Sequence, residues 1–213
     1  MSKFDFDQSI NRLNTSSIKW DFTEQRYGEK DLLPMWVADM DFPSPQPVVD
    51  ALIKRAQHPV YGYTGETDSV YDSVVKWMSL QHDWIIQRNS ITFSAGVVSG
   101  FTTAILALSE PGDKILIQPP VYYPFFDSIK NNGRVIIENP LRYTEDKMKI
   151  DFNHFEEQLK SGIKLFLFCS PHNPGGVVWS REDLLKIGEL CLKYNVIILS
   201  DENHADLCLP GDK

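Results

Sequence analysis

Residues 196–207 read VIILSDENHADL, an aliphatic run that ends in Asp201, Glu202, Asn203 and His204. Such a run reads as a buried strand, and a charge at its tip is costly unless it meets a partner. A carboxylate there would gain a charge-assisted hydrogen bond from a cationic nitrogen. His204, three residues beyond Asp201, is near enough to join it. A metal site of Asp201, Glu202 and His204 is the competing chemistry. Adjacent strand residues point to opposite faces, so Asp201 and Glu202 make poor co-ligands and no metal is expected. The plainest alternative is a strand that ends in solvent.

Three other stretches offer matching groups. SAGVVSG, residues 94–100, places small residues ahead of a helix. Free N–H groups and the positive helix end can hold a phosphate there, and an ordinary tight turn is the bland reading. The stretch is neither GxxxxGK nor GxGxxG, so nucleoside triphosphates and dinucleotides lose support. SPHNPGG, residues 170–176, holds Asn173 on a stiff turn, where its amide could serve a ring oxygen; Pro/Asn/Gly turns are also common without any ligand. PPVYYP, residues 119–124, offers Tyr122 and Tyr123, able either to stack on a planar ligand or to pack in a core.

These stretches need elements to position them. Val48, Leu52 and Ala56 predict a helix, and Asp68 is a candidate cap for a second carrying Val70, Val74 and Trp77. Residues 91–93 (ITF) predict a short strand, followed by a helix from Val97 to Leu108. Strands are expected over 114–118, 134–138, 163–170 and 196–201. Helices are expected after Pro124, after an Asp151 cap, and after the capping box Ser180–Asp183. Continuous apolar strands alternating with helices specify an α/β fold, a mostly parallel sheet sandwiched by helices. Right-handed crossovers place the strand C-termini on one edge, where ligands bind in such sheets. The polar stretches would converge there. Residues 1–45 are aromatic-rich and aperiodic and read as an N-terminal arm, leaving 46–213 as the sheet domain.

The chain has 213 residues, a formal charge of −8, and is 42% hydrophobic, with 12 Phe, 8 Tyr and 5 Trp. That supplies a core, and the acidic balance argues against nucleic acid or an anionic membrane as partner. No apolar run approaches the roughly 20 residues needed to span a bilayer, and the N-terminus lacks a secretory signal. Cys169, Cys191 and Cys208 are odd in number, lie among apolar neighbours and form no CxxC pair, as expected of packed thiols in the cytoplasm.

Taken together, KWDFTEQRYGEKDLLPMWVADMDFPSP, YGYTGETD, ITFSAGVVSGF, IQPPVYYPFF, CSPHNPGGVVWSREDLLKIGELCLKYNV and SDENHADL resemble fold-type I pyridoxal-phosphate enzymes. Within that superfamily they are similar to the MalY/PatB group of cystathionine β-lyases and C–S lyases. The resemblance covers essentially the whole chain. It implies pyridoxal 5'-phosphate as cofactor, a small amino-acid substrate and a homodimer. Val97 and Val98 would give N–H groups to the cofactor phosphate, Tyr122 would stack on the ring, and Asn173 would bond the ring oxygen. Asp201 would pair with the ring nitrogen, and His204 would support it or the ring-oxygen side. Tyr63 would reach the phosphate of the neighbouring subunit, and residues 36–39 would border the substrate entrance. Tyr122 and Asp201 are the implied catalytic residues of this chain.

The sequence departs from that group twice. Asn203 stands where an aliphatic residue is usual, and an Asn in a buried strand needs partners. The Schiff-base lysine of the group belongs after the next strand, beyond Lys213. The chain is therefore expected to be a fragment or truncated product, inactive alone, carrying the cofactor-binding part. Two other functions share these residues: a pyridoxal-phosphate-dependent aminotransferase, and a non-catalytic regulatory protein of the same fold.

Overall fold

The computed structural model describes residues 5–144, 147–209 and 211; Lys213 lies outside the described residues. The chain divides into two compact units, Met1–Gly65 and Glu66–Lys213. The division falls at residue 65, twenty residues past the arm boundary expected from composition, because the first apolar helix belongs with the N-terminal unit.

That first unit carries helices α1 (Ile18–Asp21), α2 (Thr23–Tyr27) and α3 (Gln46–Ala56). Charge, more than a core, knits its N-terminal part together. Arg12 donates to Asp39 at 2.5 Å and to Asp41 at 2.6 Å. The buried Lys19 Nζ donates to Asp41 at 2.8 Å, and the Trp20 indole N–H donates to the same carboxylate at 2.9 Å. Lys19, Trp20 and Arg12 together hold the Asp41 carboxyl well below the usual range. Trp36 lies under the Arg26 guanidinium and edge-on to Tyr27.

The second unit carries α4 (Asp68–His82), α5 (Val97–Leu108), α6 (Pro124–Lys130), α7 (Phe152–Lys160) and α8 (Arg181–Lys193). Its strands are β1 (Lys114–Ile117), β2 (Val135–Glu138), β3 (Arg142–Thr144), β4 (Lys147–Lys149), β5 (Ile163–Cys169) and β6 (Ile197–Asp201). β2, β1, β5 and β6 form a wholly parallel sheet in that order. β3 and β4 pair separately as an antiparallel hairpin. Side-chain alternation divides the strands between two cores. Ile115, Ile117, Leu165, Leu167 and Cys169 face Phe101 and Ile105 of α5 and Phe125 and Ile129 of α6. Leu116, Phe166 and Phe168 face Phe155 and Leu159 of α7 and Ile187 and Cys191 of α8. The α/β sandwich read from the sequence is thus the architecture found, and every strand of the sheet ends at one edge.

Caps and ends differ in detail from the sequence reading. Asp151 accepts the His154 N–H as a cap, and Ser180 accepts the Asp183 N–H. The Asp183 carboxylate returns to the Ser180 hydroxyl at 2.6 Å, closing the box through side chains. Asp68 is not a cap: Thr67 holds that position, and the Asp68 carboxylate pairs with Arg88. Residues 91–93 form no strand; Ile91 is extended, but no neighbouring strand pairs with it among the described residues. β6 is not buried as its composition predicts. Among the described residues it is the last strand of the sheet, with Ile197 and Ile198 each more than a third exposed. No helix among the described residues is long and apolar enough to cross a membrane.

Candidate active site

The C-terminal edge of the sheet gathers most of the residues singled out above. Asp201 ends β6, in register with Cys169 at the end of β5. The Ser170 N–H continues the ladder to the Asp201 carbonyl at 3.0 Å. Asp201 is half-buried, and its carboxylate accepts one N–H, from Asn203, at 3.2 Å. Glu202 turns the other way: it is exposed and accepts the Ser200 hydroxyl at 2.9 Å. Opposed side chains at consecutive positions are what a strand imposes. Asn203 is also exposed, in the turn after the strand, so it carries no burial cost.

Beside Asp201 lies the turn that follows β5. The Asn173 N–H donates to the Cys169 thiol sulfur at 3.3 Å, and that thiol donates to the Pro171 carbonyl at 3.4 Å. Burial pushes the Cys169 thiol up to about 11, the Asn173 N–H pulls it down, and the Asp201 charge adds to the rise. A thiol so protonated is a fixture of the turn, not a nucleophile. The Asn173 side chain is half-buried, and its amide makes no hydrogen bond among the described residues. The buried Trp179 indole donates to the Cys169 carbonyl at 2.9 Å and anchors the same strand end from below.

Tyr122 follows β1 and borders the core facing α5 and α6, edge-on to Phe125. Its phenol is pushed above the usual range by burial first, then by Tyr123 and by the charge of Asp201. The two side chains predicted to flank one ring thus lie within electrostatic reach of each other. Tyr123 is two-thirds exposed.

Helix α5 begins at Val97 and packs on β6. It starts there because Gly96 takes φ +153°, in a region that L side chains rarely adopt. No side chain caps this helix, and no acid stands in its first turn. The first N–H groups of a helix have no intrahelical partner, so those of Val97 and Val98 remain available at its positive end.

His204 and Tyr63 are the two remaining residues singled out above. His204 is half-buried at the start of the 3₁₀ turn Ala205–Leu207, and its ring makes no hydrogen bond to Asp201 among the described residues. Tyr63 belongs to the N-terminal unit and is fully exposed.

Three contacts escaped the sequence reading. Cys169 could have been found by asking which residue pairs with Asp201 across the sheet. His172, beside Asn173, is buried and bonds within the turn. Asp206 accepts the Trp77 indole N–H at 3.1 Å and lies 2.7 Å from His82 Nε2, tying the turn after β6 to α4. That pairing spans more than 120 residues, and no local pattern signals it.

The groups present suit a planar, cationic, phosphorylated ring: open N–H groups at one end, a carboxylate at the other, an unengaged amide at the side and a half-buried phenol nearby. Known proteins are similar to this chain over nearly its whole length. The chain is 48% identical over 209 residues to cystathionine beta-lyase PatB of Bacillus subtilis, covering 98% of this chain and 54% of that protein. It is 32% identical to protein MalY of Escherichia coli, covering 96% and 53% respectively. Among solved structures, the PLP-bound putative aminotransferase of Clostridium difficile superposes with a TM-score of 0.94 at 42% identity, over 98% of this chain and 54% of that one. Cystalysin of Treponema denticola, which contains pyridoxal 5'-phosphate, gives 0.92 at 41% identity over the same shares. The chain spans about half the length of the relatives it matches. The model for aminotransferase class I and II matches residues 30–212, and the chain belongs to that family.

Proposed function

We propose that this chain forms the cofactor-binding part of a pyridoxal-phosphate-dependent carbon–sulfur β-lyase. Its substrates would be cystathionine or other S-substituted cysteines, and its products a thiol, pyruvate and ammonia. The carrying observation is the grouping of Asp201, Asn173 and Tyr122 beside the uncapped start of α5. Identity to PatB favours the lyase over an aminotransferase.

In this reading the backbone N–H groups of Val97 and Val98 hold the phosphate. Tyr122 covers the ring, and the Asn173 amide donates to the ring oxygen. Asp201 holds a proton on the ring nitrogen. Bound there, the cofactor supplies an electron sink for the charge that develops at the substrate Cα. The half-buried Asp201 carboxylate keeps that sink cationic, because opposite charges at hydrogen-bond distance stabilise each other. Cys169 acts beneath, holding the turn. His204 would reach the ring-oxygen side or Asp201 after a side-chain rotation. Tyr63 would serve the phosphate of a second subunit in a homodimer, and residues 36–39 would border the substrate entrance. Functionally, residues 1–45 would form an N-terminal arm or small-domain segment and residues 46–213 the first part of the cofactor-binding domain, with a cytoplasmic place and a part in methionine biosynthesis.

The experiment is a product assay on the full-length protein with cystathionine. Pyruvate formed without any keto-acid acceptor supports the lyase; dependence on an acceptor would make it an aminotransferase. Binding of a partner protein with neither activity would make it a regulatory member of the fold.

A further inference from the structure

His172 is 3% exposed, yet it is a polar ring in a turn that otherwise faces the candidate site. Its Nδ1 accepts the Gly175 N–H at 3.2 Å. An accepting Nδ1 carries no proton, so in the neutral ring the proton is on Nε2. Nε2 is buried and makes no hydrogen bond of normal geometry among the described residues; the Gln118 main chain is the acceptor that a hydrogen on this nitrogen would serve. Burial holds the imidazole below its usual pKa, against the raising effect of that Gln118 main-chain hydrogen bond. A charged ring here would lose its acceptor at Nδ1 and bury a cation.

The turn is built around this ring. The His172 N–H donates to the Val177 carbonyl and the Gly176 N–H to the His172 carbonyl, both at 2.8 Å. The Trp179 ring stands edge-on to the imidazole, with centroids 5.7 Å apart. A side chain at position 175 would force the ring to move: a Cβ would lie 2.7 Å from His172 Nδ1 and 2.9 Å from Met148 Sδ on the β4 strand. The glycine lets the main chain close onto the ring, and the closed loop carries Asn173 and Pro174 at its head.

We infer that His172 is a positioning residue whose uncharged ring, accepting the Gly175 N–H at Nδ1, fixes the loop that presents the Asn173 amide. Its role in cofactor binding rests on the reading of Asn173 given above; its grip on the loop does not.

Two substitutions separate the ring nitrogens. His172→Asn keeps an acceptor near Nδ1 and deletes Nε2. His172→Gln keeps a polar atom near Nε2 and deletes the acceptor. Both are made in the full-length protein and read in two ways: hydrogen exchange of the peptide containing Gly175, and the dissociation constant and absorption bands of added pyridoxal phosphate. His172→Asn should stay close to wild type in both. His172→Gln should exchange about tenfold faster at Gly175, bind the cofactor about tenfold more weakly and shift its bands, as expected for one lost hydrogen bond. Wild-type behaviour of His172→Gln, or equal damage in both variants, would overturn the inference. If wild type fails to bind pyridoxal phosphate while the exchange difference persists, the functional reading falls and the grip on the loop stands. Should His172→Gln not fold, Gly175→Ala crowds the same nitrogen, and unchanged exchange and cofactor affinity in that variant would equally overturn the proposal.

Discussion

Replacing Asp201 by Asn removes a charge from the sheet edge with almost no change of shape. The local fold loses little, because among the described residues the carboxylate accepts one hydrogen bond, from the Asn203 N–H, and an amide oxygen can accept it equally well. The loss appears when a cation stands opposite. Two unit charges about 3 Å apart interact by roughly 5 kcal/mol at an effective dielectric constant of 20. Asp201 is half-exposed, so screening reduces this, and hydrogen bonds to charged groups contribute about 1.5–3 kcal/mol net. Cofactor affinity should therefore fall about 10- to 100-fold. Turnover at saturating pyridoxal phosphate should fall at least 100-fold, the usual scale for losing a preorganised electrostatic partner. Asp201→Glu should be milder, since charge survives with altered reach. Glu202→Gln should stay within about threefold, because among the described residues that side chain bonds to Ser200 alone, away from Asp201. Circular dichroism should show all three folded. If Glu202→Gln is crippled while Asp201→Asn turns over near wild type, the wrong acid has been put at the cofactor.

The other predictions are shorter. Mixing Tyr63→Phe subunits with Asp201→Asn subunits should regenerate one intact site per heterodimer and restore activity; activity that tracks Tyr63 within its own subunit would defeat the cross-subunit assignment. Burial pushes the thiols of Cys169 and Cys191 up to about 11 and about 12, against about 8.5 for a free thiol. Both folded pKa values are raised, so the associated stability is intact below about pH 8.5 and is lost as pH rises towards 11 and 12. Melting temperatures between pH 8 and 10.5 should show that decline, and Cys191→Ala should flatten it while lowering stability at pH 8. At pH 8 alkylation mapped by mass spectrometry should mark Cys208, which is partly exposed, before either buried thiol. Asp206→Ala should lower the urea midpoint by the equivalent of about 1 kcal/mol, since it releases a half-exposed tie to Trp77 and His82. No change would mean that the tie adds nothing to stability.

Much of the architecture is legible in the chain. Helix α5 runs over the residues expected, from Val97 to Leu108, because the Ser-Ala-Gly break and the Glu-Pro-Gly stop are local signals. β5 stands out as an apolar run, interrupted at the exposed Lys164, because from Leu165 to Cys169 it is buried on both faces. β6 carries the same signal and is partly exposed, because among the described residues no strand pairs with its second side. Composition records what a strand can bury, not which neighbours it has. Residues 91–93 fail as a strand for the related reason that pairing is a property of two segments.

The candidate site divides in the same way. Residue type and order along the chain determined which side chains could bind a phosphorylated cationic ring: a helix start without a cap, a phenol, an amide on a proline turn and a strand-end acid. Parallel strand order then determined that they share one edge. Only tertiary structure decided what holds each of them still. The Cys169 thiol under Asn173, the buried His172 ring against Gly175 and the Asp206 tie to α4 each join groups through space. The two turn contacts depend on a close approach of main chain and side chain that residue spacing does not encode, and the third bridges distant parts of the sequence. Periodicity sets the face a residue occupies, whereas the partner it finds there depends on how the elements pack.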